Sequence, residues 1–497
     1  MADVLPRRSA PGFGAIGADN RPAFDPRPRI GVERVEIVLF AVAMFLIIAS
    51  GCGISLIALP RHHSINTIEL LCLSFLLGAG FVSIASFTFG FFISGLALRL
   101  TVAALCLALL ALGLRANPPQ FDWRRALPAR SKSDWALLVW MLAPIGLAAW
   151  VSQQRAMGWD GLFNWEIKAR VAFLNGGAIP LSFYSDPTRP WTHPEYPLLL
   201  PLTEAWLYGW MGRADQAMVQ ALFLIFFAAA LGLLYAGVSR FGFRSAQLWA
   251  PPVLLLAPQL IFSGQGGVSS GYADFPLAVF YLAAVIFLLE YWKEEDAGLL
   301  LPFGLLAGSL CWVKSEGAIL WSCLIALAMI KTFRRRDWRK AAIAVLPGLI
   351  VLIGWRVFLL FAKPSTGEVF LPLTPSTLRN NLWRAPQIAQ AVLAEMLNWR
   401  HWGPLWIVVV VAALFLILNS RRDHRVILPA AVFPPIAVYA GVYVFSAWDF
   451  LLHLNNSFPR LLTQVSIVAA LTVAVVLPFG RARKDERDGS TQSNPSA

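Results

Sequence analysis

The chain is 497 residues long, 58% hydrophobic and only 14% charged, with 41 Lys and Arg against 28 Asp and Glu. That is more apolar surface than a soluble domain can bury, and apolar stretches of about 20 residues recur, each long enough to cross a bilayer core as a helix. The formal charge of +13 does not make nucleic acid a partner, because the basic residues fall in short clusters between apolar runs and form no continuous patch. The fold class expected is therefore an all-α polytopic integral membrane protein, a helical bundle in contact with membrane lipids.

In chain order, residues 1–33 are rich in Pro, Gly and Arg and read as a flexible tail. They do not read as a cleavable signal, since the first apolar run comes late, is too long and ends without a small-residue cleavage pattern. About 13 spanning candidates follow, near 35–59, 67–89, 92–114, 134–152, 217–238, 246–263, 273–291, 299–314, 316–331, 341–361, 404–420, 426–446 and 460–479. They divide the chain into amino-terminal helices over 34–133, a module over 134–331, carboxy-terminal helices over 332–480 and a tail over 481–497. The cysteines, Cys52, Cys72, Cys106, Cys311 and Cys323, all lie in apolar runs and offer neither a disulfide framework nor zinc spacing.

Orientation follows from the basic connectors, because Lys and Arg near span ends are retained in the cytoplasm. The clusters run from Arg115 to Lys132, then SRFGFR (239–244), RRRDWRK (334–340), SRRDHR (420–425) and RARKDER (481–487). With 115–133 cytoplasmic, alternation through the later spans puts every one of them on the same side. This requires 198–212 to lie on or dip into the outer interface without crossing. The outer connectors are then 153–216, 264–272, a turn near 314–316, 363–403 and 447–459. The first three candidates place the basic tail outside, and Arg99 falls inside the third, so topology before residue 115 stays open. No internal repeat of the kind common in transporters is visible.

The outer connectors hold the unusual polar residues. The first has Asp160 just beyond a span, then Glu166, Lys168, Arg170, His193, Glu195 and Glu204 among tryptophans. Its LFNWEIKARVAFL (162–174) suits an interfacial helix, whose structural reading is a surface helix with snorkelling cations. The second, SGQGGVSSGYADFPLA, sets Asp274 at a membrane boundary, where it either caps a helix or serves a ligand approached through glycines. In CWVKSEGAIL, Lys314 and Glu316 either pair structurally or give the lysine to a phosphate. The last, WDFLLHLNNSFPRLLTQ, supplies His453 and Arg460, the latter a phosphate contact or a snorkelling cation. Arg356 lies well inside a span, where a guanidinium is expected to face a partner or cavity.

An acid just after a span, a long first loop ending in HPEYPLL, an Asp in a Gly-rich second loop and an Arg opening a late span together resemble the polytopic lipid-linked-sugar glycosyltransferases of the GT-C fold. The nearest likeness is to glycosyltransferase family 39, with the protein O-mannosyltransferases and lipid A aminoarabinose transferases, over about 134–331 and again near 460. The resemblance implies that Asp160 is the general base or a metal ligand, that Asp274 is the second-loop acid, and that His193 to Pro197 form the turn under the active site. It leaves room for a divalent cation, Mg or Mn, on Asp160 and Asp274. The chain differs from the family in having Gly161 after Asp160 in place of a second acid, and in three extra candidate spans before the catalytic loop.

The reaction implied is inverting transfer of a sugar from a polyprenyl-phosphate donor to a lipid, glycan or protein acceptor at the outer face of a bacterial inner membrane. Lys168, Arg170, Lys314, Arg356 and Arg460 are the cations available to the leaving phosphate, with Glu166, His193, Glu195, Glu316 and His453 as further substrate contacts. Trp159, Trp165 and Trp191 offer faces for sugar rings, or form an interfacial belt. A monophosphate carrier requires no nucleotide-binding motif. The competing reading is a secondary transporter or a lipid or oligosaccharide flippase.

Overall fold

The computed structural model describes residues 30–118, 132–242, 250–334, 337–367, 369–419 and 423–477. The expected tails up to 29 and over 481–497 fall outside these segments, as do most of the Arg115 to Lys132 connector and parts of the basic clusters at 243–244, 335–336 and 420–422. Among the described residues the fold is helical throughout, without a strand; one isolated antiparallel bridge joins Phe370 and Ser446. Among the described residues, eight helical segments are long and apolar enough to cross a membrane. They include α1 (Ile30–Ala58), α2 (Thr67–Phe89) and α3 (Gly95–Ala116), which all form as expected.

After them come α4 (Lys132–Gln154), the short α5 (Ile167–Leu174) and α6 (Leu199–Met211), then α7 (Gln216–Phe241) and α8 (Asp274–Glu294). Next are α9 (Leu300–Val313), α10 (Gly317–Arg334) and α11 (Trp338–Ala362), and beyond them the amphipathic α12 (Ala385–Met396). The last three are α13 (Leu405–Asn419), α14 (Ile427–Val442) and α15 (Phe450–Val476). The candidate at 246–263 is not one helix. Pro251, Pro252 and Pro258 remove backbone donors, and among its described residues the segment holds only the short helices Ala250–Leu254 and Pro258–Phe262.

Burial orders the bundle from inside out. The best spanning window of α8 is 94% buried and that of α15 is 83%, so these two form the axis, whereas α3 and α11, at 22%, line the periphery. Close helix approach depends on glycine: a Cβ on Gly51 of α1 would stand 1.7 Å from the Ser74 carbonyl oxygen of α2, and one on Gly78 would stand 1.8 Å from that of Ile47. Small residues at such crossings let backbones pack where lipid gives no hydrophobic drive to association.

Polar side chains gather at the two ends of the bundle. At one end Arg240, closing α7, binds Glu69 of α2 and Glu290 of α8, with His63 3.3 Å away. At the other end the long connector between α4 and α7 folds over the helix mouths. Helix α6 spans only about 20 Å at 1.5 Å per residue, too short to cross. It does not lie on the surface, however; it is buried among its neighbours, with the Trp206 indole donating to the Ala43 carbonyl of α1 at 3.2 Å. The same end receives the start of α3, where Gly95 N–H donates to Gly176 at 2.7 Å, and residues near the start of α1, where Glu36 pairs with Arg213.

Candidate active site

The site begins where the first connector presses on the second. Gly158 N–H donates to the Ser270 carbonyl at 2.8 Å, and a Cβ on Gly161 would stand 2.3 Å from that same oxygen. Gly271 has φ +74°, and a Cβ there would meet Met157 Cε at 2.2 Å. Of the second-loop glycines, Gly271 thus packs on the first loop, whereas Gly266, at φ +81°, lies against Arg460, where a Cβ would stand 3.2 Å from its Cγ. Between the two loops Asp160 is held with its N–H donating to the Tyr272 hydroxyl at 3.1 Å.

Its carboxylate forms an ion pair with Arg460 of α15, whose guanidinium also lies over the Tyr272 ring, 5.4 Å from the centroid. This pair is reachable, with side-chain exposures of 28% for Asp160 and 21% for Arg460. Directly behind it a second pair is sealed: Lys314 Nζ lies 2.8 Å from Asp274 Oδ1, with exposures of 6% and 1%. Asp274 opens α8, but the cap position is Ala273 and the Asp274 side chain caps no backbone group; it takes Lys314 and the Gln464 amide, the latter at 2.6 Å. Gln464 in turn accepts from the Tyr439 hydroxyl at 2.7 Å. The Lys314 to Glu316 turn between α9 and α10 forms as expected, and Glu316 takes Lys314 at 2.9 Å. Asp160, Asp274, Lys314, Glu316 and Arg460, from four separate segments of the chain, thus stand in one continuous polar seam.

The remaining candidates divide. His193, in a left-handed conformation at φ +45°, holds Glu195 at 3.0 Å and stacks on Tyr196, with ring centroids 4.7 Å apart. His453 bonds Ser446 at 2.9 Å and packs on Tyr443, two helical turns before Arg460. Lys168 does not snorkel and is not set to meet a phosphate: it is fully buried, donates to the His193 carbonyl at 2.6 Å, and lies over the Trp165 and Tyr196 rings. Arg170 is tied to Glu166 one turn away, and Glu166 also accepts from Tyr208 at 3.2 Å, so this pair turns toward α6 and away from Asp160. Arg356 is exposed on peripheral α11 and, among the described residues, has no ion-pair partner. It stands on the outer surface of the bundle, away from the polar seam. Trp165 is 1% exposed and offers no sugar face, whereas Trp159, Phe163 and Trp191 form a row of contacting rings with both tryptophans exposed.

Burial pulls the Lys168 ammonium down to about 7, against the attraction of Glu195 and Asp160. With a folded value below the unfolded one, the unfolded chain binds more protons between about pH 7 and 10.5, so this group costs most stability at and below pH 7 and the cost falls as pH rises through that window. The melting midpoint is expected to rise from pH 6.5 toward pH 9.5, and Lys168→Met to flatten that rise in scans of the purified protein. An unchanged slope would place the proton elsewhere.

The same pairings bear on a divalent cation. Asp160 and Asp274 each already carry a cationic partner, and a metal between them would have to displace Arg460 and Lys314. The donor set fits ion pairs. At the opposite end, His63, Glu290 and Glu294 bring ligand atoms within 4.8 Å of one another, but Arg240 occupies Glu290 there. No protein-family model, curated protein or solved structure matches this chain.

Proposed function

We propose that this is a membrane glycosyltransferase that moves a sugar from a polyprenyl-phosphate donor to a lipid, glycan or protein acceptor, with about 13 crossings and the polar seam on the exterior side of the bacterial inner membrane. The observation that carries the reading is the pairing of an accessible acid and cation, Asp160 and Arg460, backed by the sealed Asp274–Lys314 pair. In this mechanism the donor phosphate takes Arg460, which releases the Asp160 carboxylate. Asp160 then accepts the proton of an acceptor hydroxyl as its oxygen attacks the anomeric carbon. The bond from that carbon to the phosphate oxygen breaks, and polyprenyl phosphate leaves with its charge held by Arg460. One displacement inverts the anomeric centre. The exposed row of Trp159, Phe163 and Trp191 gives a sugar a face to stack on.

The test is incubation of the purified full chain, in vesicles, with a panel of polyprenyl-monophosphate sugars and membrane lipid or glycan acceptors. Release of polyprenyl phosphate with formation of a new glycoside is expected. Movement of intact donor across the bilayer without bond cleavage would instead favour the transporter or flippase reading.

A further inference from the structure

Beside the polar seam, and not part of it, peripheral α3 leans on the turn after α5 and on α6 to leave a crevice of about 260 Å³. Arg99 lines it. The Arg99 Nε reaches only the Gly95 carbonyl, at 3.4 Å, and among the described residues no carboxylate pairs with it. Ser86 of α2 lines the same crevice; it is 5% exposed, and its hydroxyl has no hydrogen-bond partner among the described residues. The floor is kept open by glycine, since a Cβ on Gly209 would stand 3.0 Å from Arg99 Cδ. A guanidinium within a spanning helix is costly without a counter-charge, and a fork of N–H donors beside a free hydroxyl matches the oxygens of a phosphate.

The surroundings say which phosphate. Leu96 and Leu100 on α3, with Phe92 before it and Leu174 across the rim, are all more than half exposed, as side chains facing acyl chains are. A second, apolar cavity of about 210 Å³ adjoins the first through Leu202 and is lined by Phe87, Phe91 and Leu198. A free anion would use the first cavity and have no use for the second.

We infer that the Arg99 crevice binds a membrane phospholipid, its phosphate on Arg99 and Ser86 and an acyl chain in the adjoining apolar cavity. This does not rest on the glycosyltransferase reading. Native mass spectrometry of the detergent-purified full chain, titrated with phosphatidylglycerol and with diacylglycerol of the same acyl chains, tests it. Phosphatidylglycerol is expected to be retained at least tenfold more tightly than diacylglycerol, a comparison that needs no variant. Arg99→Ala is expected to erase that difference and Arg99→Lys to keep part of it, while Gly209→Leu, which fills the crevice and leaves the charge, lowers phosphatidylglycerol retention. Equal retention of both lipids by the wild-type chain, or displacement of the lipid by equimolar inorganic phosphate, would overturn the proposal.

Discussion

Asp160→Asn is expected to lower turnover of a polyprenyl-phosphate sugar by about 10²- to 10⁴-fold, the usual worth of a positioned general base, while leaving the melting midpoint close to wild type. The amide keeps the size of the side chain and still offers Arg460 an oxygen, and the backbone N–H bond to Tyr272 does not depend on the side chain. What it loses is the charge that accepts a proton. Because both members of the pair are partly exposed, the loss of attraction to Arg460 has a small effect on folding. Single-turnover assays with a saturating donor measure the effect. Wild-type turnover in the Asn variant would remove Asp160 as the base.

The sealed pair responds in the opposite way. Asp274→Ala leaves the Lys314 ammonium buried, with Glu316 alone beside it, and is expected to cost about 3–5 kcal/mol of stability, the range for breaking one partner of a buried ion pair. Asp274→Leu combined with Lys314→Met removes both charges of the pair and is expected to cost less than the sum of Asp274→Leu and Lys314→Met made singly, the remaining cost including Glu316 left without Lys314. Denaturant or thermal unfolding in matched detergent gives the cycle. Additive costs would mean that the two side chains act independently, and would dismiss the ion pair as the support behind Asp160.

Much of this seam is legible in the amino-acid sequence, for a physical reason. Charge asymmetry across spans sorts loops by side, and a shared side brings residues far apart in sequence to one depth, which is how Asp160, Asp274, Lys314 and Arg460 were grouped. The proline cluster between 251 and 258 carried a warning about continuity that apolar length alone hid. Hidden too were Tyr196, Tyr272, Gln464 and Tyr439, because a tyrosine or glutamine in an apolar run looks like packing. The one available signal was Gln464, a single turn beyond Arg460. Lys168 and Arg356, both expected at the phosphate, lie elsewhere: Lys168 is sealed in the core and Arg356 stands on the outside of the bundle. Periodicity places a side chain on a helix face but not under a neighbouring loop, so it shows neither the burial of one cation nor the exposure of the other.

The glycine seam between the first two connectors also bears on how such a site can change. Asp160 and Tyr272 are 112 residues apart, yet Gly158 and Gly161 rest on the carbonyl oxygens of Gly264 and Ser270, with the Tyr272 ring packed against Gly158. Asp160 is thus indexed to a second segment of the chain, as a key is to its ward. A lengthened or shortened glycine loop would shift Asp160 bodily, whereas the exposed aromatic row of Trp159, Phe163 and Trp191 can vary without moving it.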